Sequence, residues 1–410
     1  PDGLLTPNPG PLVDPQELFP GISDFKPMKG PMTTQSLRGM ANHGPMHWRG
    51  DRNGNNEAGT SAQPDTGLFD ERQAFREFNP AFEDLLGGPA QLSVSQMESF
   101  VDFALEITYP PNPIRRLDNS LTASEARGRD HFFQDDVAEL NLFFPGEVTS
   151  CAGCHVLDRD GNAEFGVDKP GFFGGDGLGI VDTGGLQHVK VPHLRNLYQK
   201  VGKFGFPDFP RLTAHSDFSH QGDQVRGFGY THDGSADSVF RFLSSIAFSE
   251  VVAPGGFPFD PSGDPLRRDV EAFMLAFDSN MAPVVGQQVT LSGQSGQDAH
   301  ARLDLLLARA RSSPAECEVV ATTRLAGVER SFLYLADDGY FRPDRNRGGP
   351  IGDALLRFYS YFRPVTYTCV PVGSGQRLGL DADLDGCFDL TERWLHTDPR
   401  DPSSVPASCP

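Results

Sequence analysis

No apolar run in this 410-residue chain approaches the roughly 20 consecutive residues that a membrane-crossing helix requires, and nothing at Pro1 reads as a targeting segment. Positive charge is scarce as well. Lys and Arg total 35 against 55 Asp and Glu, and the formal charge of −20 argues against general attraction to nucleic acid or to an anionic membrane surface. A basic partner, bound cations or simple solubility fits that balance better. No nucleophilic triad and no nucleotide-binding loop is recognisable. Cysteine is rare too: Cys151 and Cys154 stand close together, and Cys317, Cys369, Cys387 and Cys409 all fall in the last quarter.

What the chain has in quantity is Phe, Gly and Pro, with 32, 45 and 34 residues. Such a composition suits large rings held by turns and loops rather than by long regular elements, as around a flat apolar cofactor. The length favours two or three units over one. We read 1–30 as an extended leader, 31–113 and 114–295 as two mainly helical domains, and 296–410 as a small mixed α/β region. Helices are predicted at 33–42, 69–86, 93–107, 193–200, 236–244, 267–278 and 301–310. Another opens at the capping box Thr122 to Glu125 and runs to Phe133. Segments 332–335 and 365–368 read as strands. A faint internal echo joins the helical halves: Ser36-Leu37-Arg38-Gly39 precedes His47-Trp48-Arg49-Gly50-Asp51, and His193-Leu194-Arg195-Asn196 precedes Gly229 to Gly234.

The segment Cys151-Ala152-Gly153-Cys154-His155 carries the most specific chemistry. Two thiols three positions apart match the two vinyl groups of one porphyrin, and the adjacent histidine is placed to ligate its iron. A thioredoxin-like dithiol would need a βαβ context, and half of a zinc site would need a second cysteine pair. Haem c is therefore the expected cofactor, with Cys151, Cys154 and His155 as its attachment and proximal ligand. For the other axial position the leading candidates are Met281, in an Asn-Met-Ala-Pro loop, and His232, in a His-Asp-Gly turn. His188, His193, His215, His220, Tyr230 and Met274 follow, and an open position or plain core packing remain alternatives. Arg195 is the candidate for holding a haem propionate, with Arg38 as its equivalent in the first half. Since c-type haem is attached after export, a periplasmic or extracellular location is expected, with a signal or a further domain upstream of Pro1.

Taken together, Leu117 to Thr122, Cys151 to His155, Val191 to Asn196 and His232 to Ser235 resemble the bacterial di-haem cytochrome c peroxidase and MauG-like superfamily. The likeness covers about 117–290 well and 31–110 weakly. It implies a mainly α fold of tandem cytochrome c-like domains, with one haem for electron entry and another for peroxide or high-valent chemistry. Two departures stand out. There is one Cys-x-x-Cys-His motif where the family normally has two, so the first domain is expected to be haem-less. Residues 241–249 also lack the axial Met the peroxidases usually place after the His-Asp-Gly turn.

Near the end, Asp381, Asp383, Asp385, Asp389 and Glu392 occupy positions 1, 3, 5, 9 and 12 of a loop with Gly386 at the sharp turn. The Cys387 carbonyl falls at position 7, the pattern of an EF-hand-like calcium loop. The following Leu395-His396-Thr397-Asp398-Pro399 resembles the tail of calcium-binding repeats in secreted bacterial proteins. Segment 51–57 is oxygen-rich but fits no specific loop. The four late cysteines suggest two disulfides. Three pairings are open, and Cys317 with Cys369 and Cys387 with Cys409 is preferred because each encloses one apparent piece. The leading functional expectation is an exported c-type cytochrome passing single electrons to a redox protein. The alternatives are a haem peroxidase or oxidase, and a haem-bearing module of an extracellular assembly packed against other haem-bearing subunits.

Overall fold

The structure, a computed structural model, describes residues 33–41, 46–48, 52, 54, 70–139, 148–155, 192–202, 227–231, 234, 236–277, 279, 281–325 and 327–409; of Cys154 the backbone alone is described. The chain divides into two compact units, one from Pro1–Tyr109 and Leu121–Asn280, the other from Pro110–Ser120 and Met281–Pro410. Both predicted helical halves thus contribute to the first unit.

In that first unit the helices are α1 (Glu71–Arg76), α2 (Pro80–Asp84), α3 (Val94–Glu106), α4 (Ala123–Phe132), α5 (Cys151–Cys154), α6 (Val239–Leu243) and α7 (Asp264–Leu275), with a two-stranded ribbon of β1 (Ala138–Glu139) and β2 (Val148–Thr149). The helix expected over 69–86 is broken in two, because Pro80 cannot donate into the ladder and instead starts α2. Capping boxes open α3 at Ser93 and α4 at Thr122, each side chain accepting the N–H three residues on. Helices α4 and α7 cross at Gly128, where a Cβ would stand 2.0 Å from the Asp269 carbonyl oxygen. Arg127 fixes the crossing by pairing with the Asp269 carboxylate at 2.7 Å.

The internal echo has a backbone counterpart. Met46 pairs with Arg52 and Tyr230 with Ala236 in antiparallel bridges of equal span, each closed by a 2.7 Å N–H···O bond from the first residue to the last. Directly after the first bridge residue the chain turns left-handed, at His47 (φ 63°) and Thr231 (φ 66°). Gly39 and Asn196, which end the two echoing tetrapeptides, are left-handed too, at φ 65° and 63°. At Asn196 this conformation limits the expected 193–200 helix to a 3-10 turn, Leu197–Gln199.

The second unit corrects the expected fold class. A six-stranded, wholly antiparallel sheet dominates it, so the chain is not a mainly α fold with a small α/β tail. Its strands are β3 (Gln288–Leu291), β4 (Glu318–Leu325), β5 (Val328–Leu335), β6 (Tyr340–Pro343), β7 (Ile351–Gly352) and β8 (Val365–Val370), in spatial order β3-β8-β4-β5-β6-β7. The helices are α8 (Gln297–Ala310), α9 (Asp353–Ser360), α10 (Gly375–Gly379) and α11 (Asp389–Leu395).

One face of the sheet packs Val319, Ala321, Phe332, Tyr334, Tyr367 and Cys369 in a core shared with Leu303, Leu306 and Leu307 of α8. Each buried leucine there contributes about 2 kcal/mol of apolar burial. On the other face Val320, Leu333 and Val370 pack with Leu380, just before the acidic loop, and Phe388, within it. Both faces are therefore covered. Val319, Val320 and Ala321 are buried in succession, so β4 lacks the alternation that marks a half-exposed strand. Disulfides join Cys317 to Cys369 and Cys387 to Cys409.

Candidate functional site

Ser150 starts the attachment turn by accepting the Gly153 N–H at 2.9 Å, which coils Cys151 to Cys154 into one helical turn with His155 as its C-cap. The two disulfides use only the four late cysteines. Ala152 is buried, and Cys151 packs against a core containing Phe132, Phe257, Phe273, Phe277, Val239, Leu243, Leu194 and Leu197. Three of those rings meet edge to face: Phe132 with Phe273 at 5.5 Å, Phe132 with Phe277 at 5.3 Å, and Phe273 with Phe277 at 4.7 Å.

His155 Nδ1 lies 3.0 Å from the backbone carbonyl oxygen of Pro192. A carbonyl only accepts, so Nδ1 carries the proton and the imidazole lone pair sits on Nε2. That tautomer is the one that suits ligation through Nε2. The carbonyl also orients the ring and raises its basicity, as an outer partner of a ligating histidine does. Of the three residues expected to hold a haem, His155 is thus in a tautomer that suits ligation through Nε2, and Cys151 lies against an apolar core.

Arg195 is buried, with its guanidinium donating to the Gly39 carbonyl at 2.8 Å and lying over the Tyr109 ring at 5.4 Å from the centroid. Its backbone N–H donates to His193 Nδ1 at 3.2 Å, so the His193 proton is on Nε2, 3.1 Å from the Tyr109 hydroxyl oxygen. Burial pushes the Tyr109 phenol up, against the opposing pull of Arg195. This network ties 39, 109, 193 and 195 together and was not read from sequence as a cluster. Only the Arg38/Arg195 echo pointed towards it.

Of the remaining axial candidates, Tyr230 donates its hydroxyl to the Leu197 carbonyl at 2.8 Å, and Met274 is buried in the aromatic core. Met281 belongs to the second unit, where it packs against the core of the sheet. His188, His215, His220 and His232 lie outside the described residues, as do the leader 1–30 and most of segment 51–57. Sequence reasoning passed over His131, which precedes the attachment motif. It is buried on α4 against Phe257 at 4.5 Å, and burial lowers its pKa below the ordinary 6.5.

In the second unit the loop brings carboxylate atoms of Asp381, Asp383 and Asp385 within 4.8 Å of one another. Backbone N–H groups occupy one oxygen of each: Gly386 donates to Asp381, Asp385 to Asp383 and Cys387 to Asp385, at 3.1, 3.2 and 2.7 Å. The second oxygen of each is buried without a hydrogen-bond partner, as is Oε2 of the fully buried Glu392. Desolvation first, then the charges of Asp385, Asp383 and Asp389, pushes the Glu392 carboxyl up to about 7. Asp389, at position 9, accepts the Ala382 N–H at 2.8 Å.

No protein-family model, curated protein or solved structure matches this chain.

Proposed function

We propose that the chain is an exported c-type cytochrome that passes single electrons through a haem held by Cys151, Cys154 and His155, as its resemblance to the di-haem peroxidase and MauG-like superfamily suggests. The observation that carries this reading is the Nδ1–H···O=C bond from His155 to Pro192, which sets the imidazole in its metal-ligating tautomer directly after the two-cysteine turn. A bound haem c supplies a one-electron iron couple.

The protein's own part is to orient and shield. Pro192 fixes the ring of His155, and the phenylalanine cluster against Cys151 keeps water from the attachment side. The charge of −20 favours encounter with a basic redox protein, an attraction that salt screens. Two disulfides favour an oxidising compartment, periplasmic or extracellular. Among the described residues no helix is long and apolar enough to cross a membrane.

The test is film voltammetry on chain matured by a host with c-type haem attachment. A reversible one-electron wave that ferric-state peroxide leaves unaltered is the expected result. Absence of any wave overturns the reading, and a peroxide-dependent catalytic current replaces it with the peroxidase alternative.

A further inference from the structure

Beyond the haem, the geometry points to a calcium-binding site in the loop Asp381–Glu392. We propose that it takes one Ca²⁺ from Asp381, Asp383, Asp385, the Cys387 carbonyl and both oxygens of Glu392, and that this ion fastens α11 and the C-terminal segment to the sheet. Three acidic side chains close together are common without an ion. What distinguishes this group is Glu392, outside that trio: it is 0% exposed, and its Oε2 has no hydrogen-bond partner. Asp381 is equally buried, with Oδ1 in the same state. A buried carboxylate oxygen with no donor is costly unless a cation compensates it. Glu392 stands at the last position of the loop, its Oε1 accepting from Thr397 Oγ1 at 3.2 Å.

Hard oxygen donors at these spacings suit Ca²⁺. Mg²⁺ demands a near-octahedral shell and keeps most of its water, which a wrapped loop offering a bidentate carboxylate serves poorly. Asp389 already accepts the Ala382 N–H, in keeping with a position-9 residue that acts through water.

The loop is also held from outside. Asn346, in the connection between β6 and β7, donates to the Gly386 carbonyl at 3.1 Å, accepts the Phe388 N–H at 2.8 Å, and through its own N–H donates to Thr391 Oγ1 at 3.0 Å. These bonds brace the chain on both sides of the position-7 carbonyl. Asn346 touches no proposed ligand oxygen, so it is a positioning residue. Leu390 N–H donates to the neighbouring Asp344 carbonyl at 2.9 Å, adding a second tie from the sheet to α11.

The experiment is calorimetric titration of the full chain, stripped with chelator, using CaCl₂ and MgCl₂ separately, with amide exchange of α11 followed in parallel. One Ca²⁺ per chain is expected, bound on the order of tenfold or more tighter than Mg²⁺, with slowed exchange in α11. Glu392→Gln should lose this binding. Glu392→Asp, which keeps the charge but shortens the reach, should weaken Ca²⁺ roughly tenfold or more while changing Mg²⁺ less. Asn346→Ala, which removes both side-chain braces, should weaken Ca²⁺ binding. Absence of Ca²⁺ binding at millimolar concentration, or one site of unchanged affinity in both Glu392 variants, overturns the proposal, and so does equal affinity for the two ions. None of these readouts depends on haem.

Discussion

At the scale of single residues, one proton decides what His155 is able to do. Its Nδ1–H is held by a carbonyl 37 positions away, so the turn Cys151 to His155 was legible in sequence while the tautomer was not. The same holds for Arg195. Sequence marked it as a candidate for holding a haem propionate, and the structure adds that its guanidinium bonds the Gly39 carbonyl across 156 positions and covers the Tyr109 ring. Replacing it with Met should destabilise the first unit by about 2–4 kcal/mol, by leaving the buried Gly39 acceptor unsatisfied and the Tyr109 stack incomplete. Thermal or denaturant unfolding checks this, and a loss below ~0.5 kcal/mol would show that the network is not structural.

His131 gives a pH-dependent expectation. Its pKa in the folded chain lies below the ordinary 6.5, so the unfolded chain binds the proton more readily. Its contribution is complete above about 6.5 and is lost as pH falls through the lowered folded value. Unfolding measured from pH 7 downwards should therefore show a fall in stability that His131→Gln reduces. An identical slope in the variant contradicts the assignment.

At the scale of elements, close approach matters more than propensity. Gly128 sits inside α4, where alanine is worth about 1 kcal/mol more than glycine in an isolated helix. The Asp269 carbonyl occupies the space its methyl needs. Gly128→Ala should thus destabilise, by about 2–4 kcal/mol, opposite in sign to the propensity argument. In the acidic loop Gly386 has φ 95° with open space around its missing Cβ, so Gly386→Ala meets only a backbone penalty. That variant should fold and bind Ca²⁺ roughly tenfold more weakly, a shift calorimetry resolves.

Helix starts were legible where side chains announce them, as at Ser93 and Thr122, because a cap is written within four residues. Strands were legible only in part. Segments 332–335 and 365–368 carry β-branched and aromatic residues, but β3, β6 and β7 have four residues or fewer, and β4 is buried on both faces. Neither the sheet order nor its dominance in the second unit follows from such local signals. Of the acidic loop read from its spacing, the structure brings Asp381, Asp383 and Asp385 within 4.8 Å of one another. The burial of Asp381 and Glu392 was not legible in that spacing.

At the scale of the whole molecule, we propose two kinds of metal chemistry, one in each unit. On that proposal one holds a haem at Cys151, Cys154 and His155, and the other a cation on the acidic loop Asp381–Glu392. Both proposed sites would suit conditions outside a cell, where disulfides such as Cys317–Cys369 persist and calcium is abundant. Chelator should then soften the second unit first, with amide exchange rising in α11 and around Asn346 before the helices of the first unit respond. Uniform softening would contradict two separately stabilised units.

The central claim is covalent attachment of haem at Cys151 and Cys154. Intact-mass measurement under denaturing conditions, on chain matured with c-type attachment machinery, tests it directly. The expected mass is that of the chain plus one haem, reverting to the bare chain in the Cys151→Ala, Cys154→Ala variant. A wild-type chain that emerges unmodified, with its porphyrin freely extracted, contradicts the account.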